Sequence, residues 1–161
     1  FALLEVCDNW KNIIALYETH GENILQTAAR VEILNELWRF DKIFLDSTGL
    51  GEGLETLLKT KVPVEGVLQT QRTKQDMHNN LRSQMQGGLG CIWNDKCRKQ
   101  LADMIYEYTP EKLLKIYARQ SKQHNLPGGD DYPTAIALAV LALRSAVQPV
   151  LFGSTRKTFG D

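Results

Sequence analysis

Three aspartates carry most of the chemistry this chain offers. Asp46 closes the apolar run 42–45 and is followed by Ser47, Thr48, Gly49, Leu50 and Gly51. Asp130 and Asp131 are adjacent and open an Ala- and Leu-rich stretch at 134–147. An apolar strand that delivers a carboxylate at its carboxyl end puts it where open α/β sheets bind ligands. The glycines behind it would let the backbone come close to a charged group. Neighbouring carboxylates repel unless a cation or solvent relieves them, and carboxylate oxygens suit hard divalent cations. Plainer readings stand beside these. Asp46 can simply cap its turn. An aspartate at a helix start can cap free N–H groups and face the positive end of the dipole. Taken together, Asp46, Asp130 and Asp131 form a candidate two-metal site, with all three as metal ligands and catalytic residues.

Basic side chains stand in related places. Arg72 and Lys74 follow an apolar strand toward the same expected sheet edge, as phosphate contacts or as an ordinary solvated helix start. His124 lies in the loop before the acidic pair, where it could position a water or a phosphate. His20 at a strand end and His78 on the polar face of a helix are read as surface histidines. Arg98, Lys99, Lys112, Lys115, Arg119 and Lys122 add local positive charge, either flanking a duplex or merely solvated. Cys7, Cys91 and Cys97 are too few and too far apart for a disulfide framework or a zinc quartet, and read as reduced thiols. Gly49, Gly51 and Gly53 miss the dinucleotide-loop spacing because position 54 is Leu, and no Gly-Lys-Ser/Thr loop exists.

The elements that must position these groups follow from the pattern. Residues 1–7 and 12–18 read as an antiparallel hairpin turning at Asp8 and Asn9. Asn23 with Gln26 three residues on is a capping-box signal, and Ile24, Ala28, Val31, Leu34 and Trp38 keep helical spacing. A strand over 42–45, a short helix over 53–59, a strand over 62–68 and a helix through Met77, Leu81 and Met85 follow, the last stopped by Gly87 and Gly88. Residues 95–107 look helical. Thr109 and Pro110 either open another helix or turn a hairpin joining 104–108 to 114–117. A helix over 134–147 closes the pattern. Alternating strands and helices imply an α/β layer with parallel pairs. With 161 residues, one domain with a tail is expected. Hydrophobic residues make up 43%, which excludes a disordered chain, and no stretch is long enough for a membrane span. Nineteen basic residues balance nineteen acidic ones, so a nucleic-acid surface would have to be local.

The run from Asp46 to Gly51, the run from Gly129 through Asp130, Asp131, Tyr132 and Pro133 into the alanine-rich helix, and Val64, Glu65, Gly66 and Val67 with Lys74 behind them resemble the carboxyl-terminal nuclease domain of the large terminase subunit of tailed bacteriophages. The resemblance spans about residues 1–147. It implies an RNase H-like fold, a mixed central sheet with helices on both faces, and metal-dependent endonucleolytic cutting of concatemeric double-stranded viral DNA with two Mg²⁺ or Mn²⁺ ions. Asp46 matches that family's fourth-strand carboxylate, and Asp130 and Asp131 match its final one. The first-strand carboxylate should lie before Phe1, so the chain as given would lack the first strand and carry an incomplete metal site, with Asp8 a poor substitute in its turn. The resemblance further implies a portal protein, a small terminase subunit and an upstream ATPase domain as partners, and a place in the host cytoplasm, transiently at the procapsid. Residues 148–161 are read as a tail. Two other readings remain open: another RNase H-like nuclease of resolvase or transposase type, and a non-catalytic module docking on DNA or a portal.

Overall fold

The structure, a computed structural model, describes residues 2–7, 10–91, 94–110, 114–118 and 129–146, with the backbone alone at 6, 7, 10, 145 and 146. Strands β1 (Ala2–Cys7) and β2 (Trp10–Leu16) pair antiparallel, with a register shift between Leu3 and Leu4. Helix α1 (Ile24–Trp38) starts with the full capping box: Leu25 and Gln26 donate N–H groups to Asn23 Oδ1 at 3.0 Å each, and Asn23 donates its own N–H to Gln26 Oε1 at 2.9 Å. Strand β3 (Ile43–Asp46), helix α2 (Leu50–Leu58) and strand β4 (Val64–Val67) form a parallel βαβ unit in which Asp46 lies opposite Val67. Helix α3 (Gln71–Gln86), strand β5 (Gly90–Cys91), helix α4 (Asp95–Ala102), the antiparallel hairpin of β6 (Met104–Tyr108) and β7 (Leu114–Ala118), and helix α5 (Asp131–Ala146) complete the order.

Two local expectations need correction, and one short strand was not foreseen. Helix α2 starts at Leu50 rather than 53, because Gly49 takes φ +61° and turns the chain straight from the strand into the helix. The helix expected over 95–107 stops at Ala102. The β-favouring Ile105, Tyr106 and Tyr108 leave it to pair with β7, so the hairpin alternative describes 104–118. The two-residue strand β5, parallel to β2, carries no periodic signal of its own.

Strand β3 shows why both faces of the sheet must be covered. Its period-two alternation sends Ile43 and Leu45 into a core with Ala28 and Val31 of α1 and Leu58 of α2, while Phe44 joins the larger core around α5. That larger core holds Ile13, Met77, Leu81, Ile136 and Val140, all 3% exposed or less. Burial of such side chains stabilises by roughly 1.5–3 kcal/mol each. Helices therefore sit on both faces, as expected. The strands form three separate ladders, β1-β2-β5, β3-β4 and β6-β7, and both β1 and β3 rest on α5. No helix among the described residues is long and apolar enough to cross a membrane.

Candidate functional site

The rim where β3 and β4 end is built from the backbone outward. Ser47 donates its N–H to the Val67 carbonyl at 3.1 Å, continuing the parallel ladder one step past Asp46. Thr48 donates its N–H to Asp46 Oδ1 at 2.9 Å, an Asx turn that fixes one carboxylate oxygen. Thr48 Oγ1 in turn accepts the Gln69 N–H at 3.4 Å, which laces the turn after β3 to the turn after β4. From there Thr70 caps α3 by accepting the Thr73 N–H at 3.1 Å, and Thr73 Oγ1 donates to the Leu68 carbonyl at 2.7 Å. The first turns of α3 are thereby held at the same rim, with Arg72 exposed and Lys74 half-buried. Lys74 Nζ reaches Asp130 Oδ2 at 2.8 Å. Asp46, Lys74 and Asp130 are thus linked through one continuous set of bonded turns.

The adjacent carboxylates at the start of α5 part company. The Asp130 carbonyl accepts the Thr134 N–H at 2.9 Å, as a helix-opening residue should, but its side chain goes to Lys74. The free N–H of Tyr132 is taken instead by Gln100 Oε1 of α4 at 2.9 Å. Asp131 is exposed and lies toward α4, where its charge helps hold the Lys96 ammonium protonated. Lys96 also binds Glu18, whose carboxyl is held below the usual range chiefly by that hydrogen bond, and Tyr132 donates its hydroxyl to Glu18 at 3.3 Å. Divergence relieves the repulsion that adjacency would impose. It also separates the roles: Asp130 belongs to the rim with Lys74, and Asp131 faces the α4 side.

His78 departs from the reading of a surface histidine. It lies one helical turn after Lys74 and is 1% exposed, stacked edge-on to Tyr106 with ring centroids 6.5 Å apart. Its Nε2 meets no hydrogen-bond partner. Burial pushes its imidazole down from 6.5 to about 4, the Lys74 ammonium adding to the drop and the Asp130 carboxylate opposing it. The signal was in the spacing, since His78 shares the inward stripe of Met77 and Leu81. The role expected for the glycines also changes. A Cβ on Gly51 would stand 1.7 Å from the Asp46 carbonyl oxygen, so this glycine admits the first turn of α2 against β3 rather than a ligand.

His124, Asp8, Lys112, Arg119 and Lys122 lie outside the described residues. His20 is exposed beside Glu18, at 3.2 Å. Arg98 and Lys99 are exposed on α4, and Lys115 lies over the Tyr117 ring. Cys91 and Cys97 are free thiols, and burial pushes Cys91 up to about 12 with Cys97 adding to it. Among the described residues no three His, Cys, Asp or Glu side chains gather as a metal-ligand set. The donors present at the rim are therefore the carboxylates of Asp46 and Asp130, hard oxygen ligands that leave the remaining coordination to water and substrate. Carboxylate oxygens of this kind are the donor type that Mg²⁺ accepts.

The sequence matches no protein-family profile and no curated relative. Its fold is that of a solved nuclease. The large terminase nuclease from thermophilic phage G20c with bound cobalt superposes with a TM-score of 0.63 at 19% identity, over 76% of this chain and 64% of that one. The same nuclease with bound magnesium gives 0.62 at 19%, over 75% and 62%. The chain thus spans less than two thirds of the solved nuclease it matches. At this identity the likeness establishes the fold, a mixed α/β arrangement of the RNase H-like type.

Proposed function

We propose that this chain is a divalent-metal-dependent endonuclease domain of a phage terminase, acting on double-stranded DNA. The observation that carries the reading is the joining of Asp46, Lys74 and Asp130 at one sheet rim, in a fold shared with a terminase nuclease solved with cobalt and with magnesium. Asp46 and Asp130 are the residues that would hold the metal, Mg²⁺ or Mn²⁺, with Asp131 as a weaker candidate and two ions as the fuller form of the proposal. A bound divalent cation supplies a more acidic water and offsets charge on the phosphoryl group. The rest falls to the chain. The Thr48 N–H orients the Asp46 carboxylate from behind. Lys74 keeps Asp130 turned to the rim, and it carries positive charge toward an incoming phosphate. Arg72, exposed in the same helical turn, is placed to meet the phosphate backbone, and His124 is proposed as a further contact to a water or phosphate. Contacts of this kind position DNA without reading its sequence.

A portal protein, a small terminase subunit and an ATPase domain of the same polypeptide are proposed partners, with action in the host cytoplasm at the procapsid. A second reading, a non-cutting DNA-docking module, draws on the lack of a three-residue ligand set among the described residues. Conversion of supercoiled plasmid in Mg²⁺ or Mn²⁺ separates the two. Cutting by the wild type that disappears in Asp46→Asn and Asp130→Asn establishes the nuclease. Salt-sensitive DNA binding with no cutting in either metal would install the docking module instead.

A further inference from the structure

Two large apolar side chains stand uncovered at the rim itself. Leu50 is 87% exposed and Leu68 is 60% exposed. A single exposed leucine carries no message, since apolar atoms make up much of any protein surface. Place and backing set these two apart. Helix α2 returns antiparallel to β3, so it starts where β3 ends, and Leu50 is its first residue. Side chains on a helix lean toward its amino terminus, so Leu50 leans outward past the end of the strand. Leu68 follows Val67, the last residue of β4 and the partner of Asp46. Both are held from behind. Gly51 seats the start of α2 against the Asp46 carbonyl, where a Cβ would stand 1.7 Å from the oxygen. The Leu68 carbonyl accepts the Thr70 N–H at 3.0 Å and the Thr73 hydroxyl at 2.7 Å. The bond between Thr48 and Gln69 joins the two turns that carry the leucines. The rim around them is polar or charged, with Asp46, Thr48, Arg72 and Lys74.

We propose that Leu50 and Leu68 are wedges that press into the base stack of DNA lying on the rim, so that the domain selects easily unstacked steps without reading base edges. The proposal rests on the nuclease reading of the rim. An apolar side chain that enters a base step unstacks it in part and kinks the duplex. What this costs depends on the step, since pyrimidine–purine steps open readily and A-tracts are stiff. Preference therefore arises at positions where no donor or acceptor is matched. The surroundings favour DNA over a protein partner. Two leucines among polar groups are too little apolar area for the core of a protein interface, which is depleted of charge. A wedge needs only one or two apolar side chains, and basic groups beside it, such as Arg72 and Lys74, suit the anionic backbone on either side of the opened step. Rigid backing is the other requirement. A side chain on a yielding loop would fold away from the stack instead of parting it, and the bonded turns behind Leu50 and Leu68 prevent this.

The test uses the purified chain without added Mg²⁺ or Mn²⁺, so that binding is read apart from cutting. Two duplexes carry 2-aminopurine, a base that brightens when it unstacks. One places it after thymine in repeated pyrimidine–purine steps, the other inside an A-tract. The wild type should bind both in a salt-sensitive way, brighten the first more than the second, and favour the first by about threefold or more. Leu50→Ser combined with Leu68→Ser should still bind in a salt-sensitive way but lose both the brightening and the preference. Leu37→Ser, at a residue 72% exposed on α1 just before β3 begins and so away from the rim, should match the wild type. Circular dichroism checks the folding of each variant, and Leu50→Ala with Leu68→Ala serves if the serines disturb it. Binding by the wild type without brightening or preference, or a double variant that brightens as the wild type does, overturns the proposal and leaves the nuclease reading standing. If that double variant also turns a dimer into a monomer in solution, the leucines belong to a contact with a second copy. No salt-sensitive binding by the wild type overturns the proposal and the nuclease reading together.

Discussion

Lys74 and Asp130 are about a quarter and a third exposed at their side chains, so their ion pair adds at most about 1 kcal/mol to stability. Its weight lies in position, because it turns one of two adjacent carboxylates toward Asp46's rim and leaves the other behind. Asp130→Asn should therefore lower metal-dependent cleavage by about 100-fold or more, and Asp131→Asn by no more than about threefold, in parallel plasmid assays. Comparable losses in both variants would refute the division of roles. His78 gives a pH signature of its own. The folded chain protonates it near 4 and the unfolded chain near 6.5, so between these values the unfolded state holds more protons. The contribution is complete above pH 6.5 and drains away as pH falls toward 4, on the order of 3 kcal/mol in all. Urea unfolding between about pH 7 and pH 4.5 should show this slope in the wild type and a shallower one in His78→Leu. The Cys91 thiol, raised to about 12, should react with iodoacetamide far more slowly near neutral pH than in urea-unfolded protein.

At the scale of elements, α2 and α1 invite contrasting substitutions. Alanine for glycine inside a helix normally gains up to about 1 kcal/mol. Gly51→Ala should lose that gain and more, since its Cβ would collide with the Asp46 carbonyl and force α2 off the end of β3. Denaturant titration should show a less stable protein, and cleavage should fall with it. Asn23→Ala removes the capping box and should cost about 1 kcal/mol without touching the rim. The capping box was legible because its residues sit three apart and act on each other. The β1-β2 hairpin was legible for the same local reason, as was the stop of α3 at Gly87. The parting of Asp130 from Asp131 was not, because it depends on Gln100 and Lys74, both distant in sequence. The end of α4 was legible only as one of two alternatives, since 103–107 carry helical spacing and pairing with β7 decides for the hairpin. Asp46 could be placed at a strand end from its neighbours alone, and its capping of the turn through Thr48 was legible there too.

For the molecule as a whole, α5 is the common support. Ile136, Ala137 and Val140 are fully buried, and the helix packs on α3, α4, β1 and β3. Asn80 of α3 donates to its Val140 carbonyl at 3.2 Å, pinning the two helices near their middles. Ile136→Ala should destabilise by about 2–5 kcal/mol, and circular dichroism and rim activity should melt together. The sixteen residues of α5 form a stiff rod about 24 Å long. One end abuts the carboxylate tethered by Lys74, and its length rests on β1 and β3. Because one stiff helix carries Asp130 at its head and is gripped by four neighbours behind it, loosening any of those grips loosens the carboxylate's footing as well.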